Sequence, residues 1–66
     1  MKSGMSCLRI ARQRKKLTQT ELAEILHVHP VSISRWEHGV RTPSLPMIQK
    51  IAWVMGMSVV ELLAIQ

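Results

Sequence analysis

The stretch Thr18–Gly39, TQTELAEILHVHPVSISRWEHG, holds two short helical patterns separated by residues that extend neither. Thr18 followed three residues later by Glu21 reads as a capping box, in which the hydroxyl takes one orphan backbone N–H and the carboxylate takes another. Leu22, Ala23 and Leu26 then share one helical face. His27, Val28 and His29 precede Pro30, and proline disfavours helical conformation in the residue before it, so the first pattern ends near Leu26. Pro30 suits the first turn of a second helix, where its missing N–H has no intrahelical partner, and Gly39 supplies a left-handed residue to close it. The expectation is two helices across a tight turn.

At about 100° per residue, Ile33 and Trp36 fall on one side of the second helix, and Val31, Ser34, Arg35 and His38 gather on the other. A guanidinium, a hydroxyl, an imidazole and a small aliphatic group are what major-groove reading needs: a bidentate donor for guanine, short polar contacts and a partner for the thymine methyl. Any surface helix also turns polar residues outward, so these residues alone do not separate a reading face from a solvated one.

The rest of the 66 residues reads as support. A hydrophobic content of 47% in so short a chain predicts one small domain over residues 1–66, one that buries only about 60% of its unfolded surface and gains from a partner. The formal net charge is +5 and the pI is near 10.4, a sign of polyanion affinity. That charge is uneven. Lys2, Arg9, Arg12, Arg14, Lys15 and Lys16 occur before any acid; residues 17–38 sum to minus two and residues 39–66 to plus one. The single cysteine, Cys7, excludes an intramolecular disulfide, fits a reducing cytoplasm and suits a small buried residue. No signal-peptide pattern and no apolar run of membrane-spanning length occurs, so a soluble cytoplasmic protein is expected.

In chain order, residues 1–5 read as a loose end, and Ser6 as the cap of a helix running to about Lys15 with Leu8 and Ala11 inward. Leu17 suits a hydrophobic staple before the Thr18 cap. After Gly39, the connector VRTPSLP leads to Ser44, a cap for a fourth helix whose inward stripe is Leu45, Ile48, Ile51, Ala52 and Met55. Gly56 stops it. Ser58 and Glu61 form a second capping box, opening a short fifth helix with Leu62 and Leu63 facing in. The five methionines read as core filler at helical spacing, Met47 being the one that fits least well. No alternating strand pattern competes, so the fold class is all-α with five helices.

Gln19, Glu21-Leu22-Ala23, Ile33, Ser34-Arg35-Trp36-Glu37, Gly39, Arg41, Pro43-Ser44-Leu45, Ile51-Ala52, Gly56, Ser58 and Glu61-Leu62-Leu63 together resemble the phage repressor and Cro type helix-turn-helix family, also called the XRE family. The resemblance runs from Leu8 to Leu63 and implies a compact lambda-repressor-like domain that binds duplex DNA. It implies that Gln19 holds a phosphate and braces the recognition helix. His29, Pro30, Val31, Ser34 and Arg35 match its base and phosphate contacts, and Arg41 a basic residue of the following loop. Arg12 and Glu37 match a structural charge pair. Two departures stand out: His27 and Lys16 occupy positions where the family usually has glycine, which implies strain at positive φ. Pro30 and Val31 replace polar readers, so a thymine methyl becomes the target of Val31.

Other chemistry finds little support. His27, His29 and His38 lack cysteine or carboxylate companions at zinc-like spacing, so no metal or other cofactor is expected. No Asp occurs and the four Glu sit mainly at capping or pairing positions, which argues against catalysis and against a small-molecule substrate. The leading function is a sequence-specific duplex-DNA-binding transcriptional regulator acting as a homodimer on a palindromic operator, with residues 30–38 in the major groove. The alternative is a protein-interaction module or antitoxin that uses the same fold to bind a protein partner. For the dimer, Trp53 falls nearly opposite the inward stripe of the fourth helix, and with Val54 and Val60 it would meet a two-fold copy. The competing placement folds Trp53 over the chain end near Ile65.

Overall fold

The computed structural model describes residues 5–65, in which five helices follow one another: α1 (Ser6–Arg14), α2 (Gln19–Leu26), α3 (Pro30–His38), α4 (Leu45–Met55) and α5 (Val59–Ala64). No strand occurs among the described residues. The start of each helix after α1 follows from its cap. Thr18 Oγ1 accepts from the Glu21 N–H at 3.0 Å while the Glu21 carboxylate accepts from the Thr18 N–H at 2.8 Å. Ser58 and Glu61 repeat the arrangement at 3.1 and 2.8 Å. Ser44 Oγ accepts from the Met47 N–H, and His29 Nδ1 accepts from the Val31 N–H with Pro30 in the first turn of α3. The Glu61 carboxyl lies below its ordinary range, chiefly because it accepts from the Ser58 backbone N–H and secondarily through the Ser58 side chain.

α1 departs from the expected cap. Ser6 is already helical, the flanking residue is Met5, and no side-chain cap hydrogen bond forms there. Met5 is also no loose end: its N–H donates to the Trp36 carbonyl at 3.0 Å, and its side chain packs on the core. This bond to the end of α3 fixes the chain direction one residue before Ser6, so the hydroxyl falls inside the first turn. The expectation for residues 1–4 lies outside the described residues.

Leu8, Ala11, Leu22, Ala23, Leu26, Ile33, Trp36, Ile51, Ala52, Met55 and Leu62 form the core, and Cys7 is buried at its margin. Met47 and Met57 pack against the core as partly buried filler, and Met55 lies within it. Two expected core positions are exposed. Leu45, 62% exposed, opens α4 beyond the turns where Ile51, Ala52 and Met55 are buried, so its turn projects past the core edge. Leu63, 51% exposed, lies about 100° round from the fully buried Leu62, and a helix of six residues buries one narrow face only.

The first four helices end alike. A left-handed residue lets the next N–H reach back to a carbonyl five residues earlier: Leu17 to Arg12, Val28 to Ala23, Val40 to Arg35 and Met57 to Ala52. Glycine fills that position at Gly39 and Gly56, but Lys16 (φ 59°) and His27 (φ 58°) adopt it with a side chain attached. An L-residue in this region carries about 1–2 kcal/mol of strain, of which glycine's greater freedom in the unfolded chain cancels part. His27→Gly and Lys16→Gly should each raise stability by about 0.5–1 kcal/mol. Urea-unfolding midpoints check this; a midpoint that does not rise would show the strain is relieved in another way.

Candidate nucleic-acid interface

The geometry of the site begins inside the protein. Glu37 is the one buried charged residue among those described, its side chain 2% exposed, and every oxygen it buries has a partner. Arg12 Nε donates to Oε2 at 2.8 Å, Arg12 Nη2 donates to Oε1 at 3.3 Å, and Gln19 Nε2 donates to Oε1 at 3.1 Å. Arg12 Nη1 donates in turn to the Leu17 carbonyl at 2.8 Å, in the link between α1 and α2. One carboxylate on the last turn of α3 is thus tied to α1, to the first residue of α2 and, through Arg12, to the connection between them. Arg12 and Glu37 are thus paired, and Gln19 hydrogen-bonds to the same carboxylate at the end of α3.

Held in this way, α3 buries Ile33 and Trp36 and turns the opposite side outward. Val31, Arg35 and His38 are exposed, as is His29 at the cap, whereas Pro30 and Ser34 are half-buried. Arg41 is exposed just past the Gly39 turn, whose closing bonds from the Val40 and Arg41 N–H groups to the Arg35 carbonyl project the connector away from α3. His38 folds back along its own helix, with Nδ1 2.8 Å from the Ser34 carbonyl and 3.4 Å from Ser34 Oγ.

A groove runs beside this face, lined by Arg9, Arg12 and Gln13 of α1, Gln19 of α2, and Glu37 and His38 of α3, with Ser6 at its end. It brings together four expected site residues, Gln19, His38 and the paired Arg12 and Glu37, and adds two that sequence reasoning missed, Arg9 and Gln13. The signal for them was available: residues 9 and 13 stand four apart on α1, on the polar side that also carries Arg12. Trp53, Val54 and Val60 belong to α4 and α5 and take no part in this groove. Among the described residues, no three His, Cys, Asp or Glu side chains come together in a metal-binding group.

Because the Glu37 network is buried and fully partnered, removing one charge strands the other. Glu37→Gln should leave the Arg12 guanidinium buried against a neutral amide and lower stability by about 3–5 kcal/mol. Thermal unfolding followed by circular dichroism reads this directly, and an unchanged midpoint would mean the pair contributes nothing to the fold.

The chain is similar to known proteins in sequence and fold. The helix-turn-helix family profile matches residues 8–62. Two crystal structures of the clp gene regulator ClgR from Corynebacterium glutamicum match 88% of this chain at 33% identity with a TM-score of 0.82, this chain spanning 74% of one solved chain and 62% of the other. Comparison with curated proteins gave no match. With five helices in this order, a capped α2, an outward α3 braced by Glu37 and a family profile covering nearly the whole chain, the protein belongs to the phage repressor and Cro type (XRE) helix-turn-helix family of DNA-binding transcriptional regulators.

Proposed function

We propose that this chain regulates transcription by binding a palindromic duplex operator as a homodimer, with α3 of each copy in the major groove. The observation that carries the reading is the outward face of α3, held by the Glu37 network and flanked by a polar groove rich in donors. Arg35 acts as the bidentate donor to guanine O6 and N7, and Val31 packs on a thymine methyl. Gln19 and Arg41 hold the phosphodiester backbone on either side, and the N-terminus of α2 at Gln19 favours an anion. His29, Pro30 and Ser34 line the approach, and His38 lies at the rear. The similarity to ClgR, a gene regulator, supports the transcriptional side of the reading.

The dimer rests on α4 and α5. Trp53 is 83% exposed and Val60 77%, so the placement of Trp53 over the chain end does not occur, and Ile65 packs on the core instead. Val54 is half-buried against its own core, which limits it to the rim of a contact. An exposed tryptophan on a small domain suits the centre of an interface, where aromatic residues are enriched. Two abutting copies of a domain 27 × 25 × 23 Å across have centres about one domain width apart. Recognition helices set outward from those centres by a few ångströms then reach the spacing of about 34 Å between successive major grooves.

Arg35→Ala should cost about 1–3 kcal/mol on an operator selected from a random duplex pool and little on unrelated duplex, whereas Arg41→Ala should weaken both and flatten the salt dependence by about one unit of slope. Equal losses on both duplexes for Arg35→Ala would assign it to phosphate alone. Failure of the wild-type protein to select any duplex over excess competitor DNA would instead favour the reading in which the fold serves a protein partner.

Trp53→Lys should yield a folded monomer whose operator affinity falls by at least about tenfold, because each half-site then binds alone. Sedimentation equilibrium decides: a variant still dimeric places the interface elsewhere on the surface.

A further inference from the structure

The hydrogen bond of His38 determines which chemistry its other nitrogen can do. A carbonyl oxygen only accepts, so the 2.8 Å contact between Nδ1 and the Ser34 carbonyl requires the proton to sit on Nδ1. In the neutral ring Nε2 is then a bare acceptor. His29 is the reverse case: its Nδ1 accepts from the Val31 N–H, so its neutral ring carries the proton on Nε2 and is already a donor. The two histidines of the recognition helix therefore meet an anion differently. His29 can donate as it stands, but His38 can donate only after taking up a second proton.

Resting on the DNA-binding reading, we propose that the groove between α1 and the end of α3 is a phosphodiester subsite, in which Arg9, Gln13 and protonated His38 hold one backbone phosphate, so that operator binding takes up a proton at His38 Nε2. The charges around the groove account for the coupling. From α1 it receives Arg9 and Arg12, from α2 the uncharged Gln19, and from α3 Glu37. The Glu37 carboxylate is bound by Arg12 and Gln19, so it offers His38 no unshared counter-charge. A phosphodiester between Arg9 and His38 supplies that counter-charge and places an acceptor in front of Nε2. The proton comes from solvent and stays on the ring while DNA is bound. The sign follows: the bound state holds more protons than the free state, so affinity rises as pH falls through the histidine range. Protonated His38 also sits on the last turn of α3, where a helix end favours a cation.

The test measures affinity for a selected operator at pH 6, 7 and 8 at constant ionic strength, with circular dichroism at each pH to confirm the fold. Wild-type affinity should fall by at least about fivefold from pH 6 to pH 8, with a ceiling of tenfold per pH unit for each proton taken up. His38→Asn should bind with a flat profile at about the wild-type pH 8 affinity. His29→Asn, which keeps a good N-cap, and His27→Gly should both keep the wild-type slope. Arg9→Gln should weaken binding and reduce the salt dependence by about one unit of slope. Calorimetry of the wild-type complex in buffers of different ionisation enthalpy should show net proton uptake near pH 7. A slope that survives His38→Asn overturns the proposal. So does affinity that rises with pH, which would make Nε2 an acceptor for a base amino group. A wild-type protein that binds no duplex at any pH refutes the DNA-binding reading itself, which is a separate outcome.

Discussion

The Arg12–Glu37 ion pair, with Gln19 as its third member, is the constraint on which the rest of this structure depends. α3 has nine residues and buries only Ile33, Trp36 and Glu37, too little apolar contact to set its rotation closely. Packing of aliphatic side chains tolerates small rotations, whereas hydrogen bonds weaken steeply as their angles open. Three bonds to one carboxylate, one of them from a different helix than the other two, therefore fix how far α3 is rolled. An apolar pair of similar volume could match the stability, since burial of charge is costly even when every group is partnered. What it would not supply is direction, and the outward placement of Val31, Arg35 and His38 depends on direction.

Much of this fold was legible because it is written in local rules. Both capping boxes, the Pro30 start of α3 and the left-handed ends at Gly39 and Gly56 depend on residues within a few positions of one another, and each forms as its sequence implies. The misreadings share a different cause. Ser6 is a competent cap by type, but the bond from the Met5 N–H to the Trp36 carbonyl, thirty-one residues away, decides where α1 begins. Leu45 and Leu63 have the right period and the wrong place, because periodicity gives the inward face of a helix but not how far along its length that face is covered. The outward face of the candidate site was legible where one helix supplies it, as along α3. Arg9 and Gln13 were missed because they line the groove only when α1 is laid beside the end of α3.

The basic character of the surface has its origin in the same interactions. The chain holds nine Lys and Arg residues against four Glu, and three of those four acids do structural work. Glu21 and Glu61 accept backbone N–H groups at helix starts, and Glu37 is buried against Arg12. An acid that caps a helix sits beside the positive end of the helix dipole, and one that is buried in an ion pair contributes little field outside. The positive potential next to α3 is thus produced as much by where the acids are held as by the number of cations. Arg12 illustrates the cost of that arrangement: it is one of the basic residues of α1, yet its charge is cancelled inside the protein to hold α3 in place. The charges left exposed around α3 are then Arg9, Arg35 and Arg41, and in the proposed DNA complex the residue that orients α3 and the residues that attract a polyanion are neighbours with separate tasks.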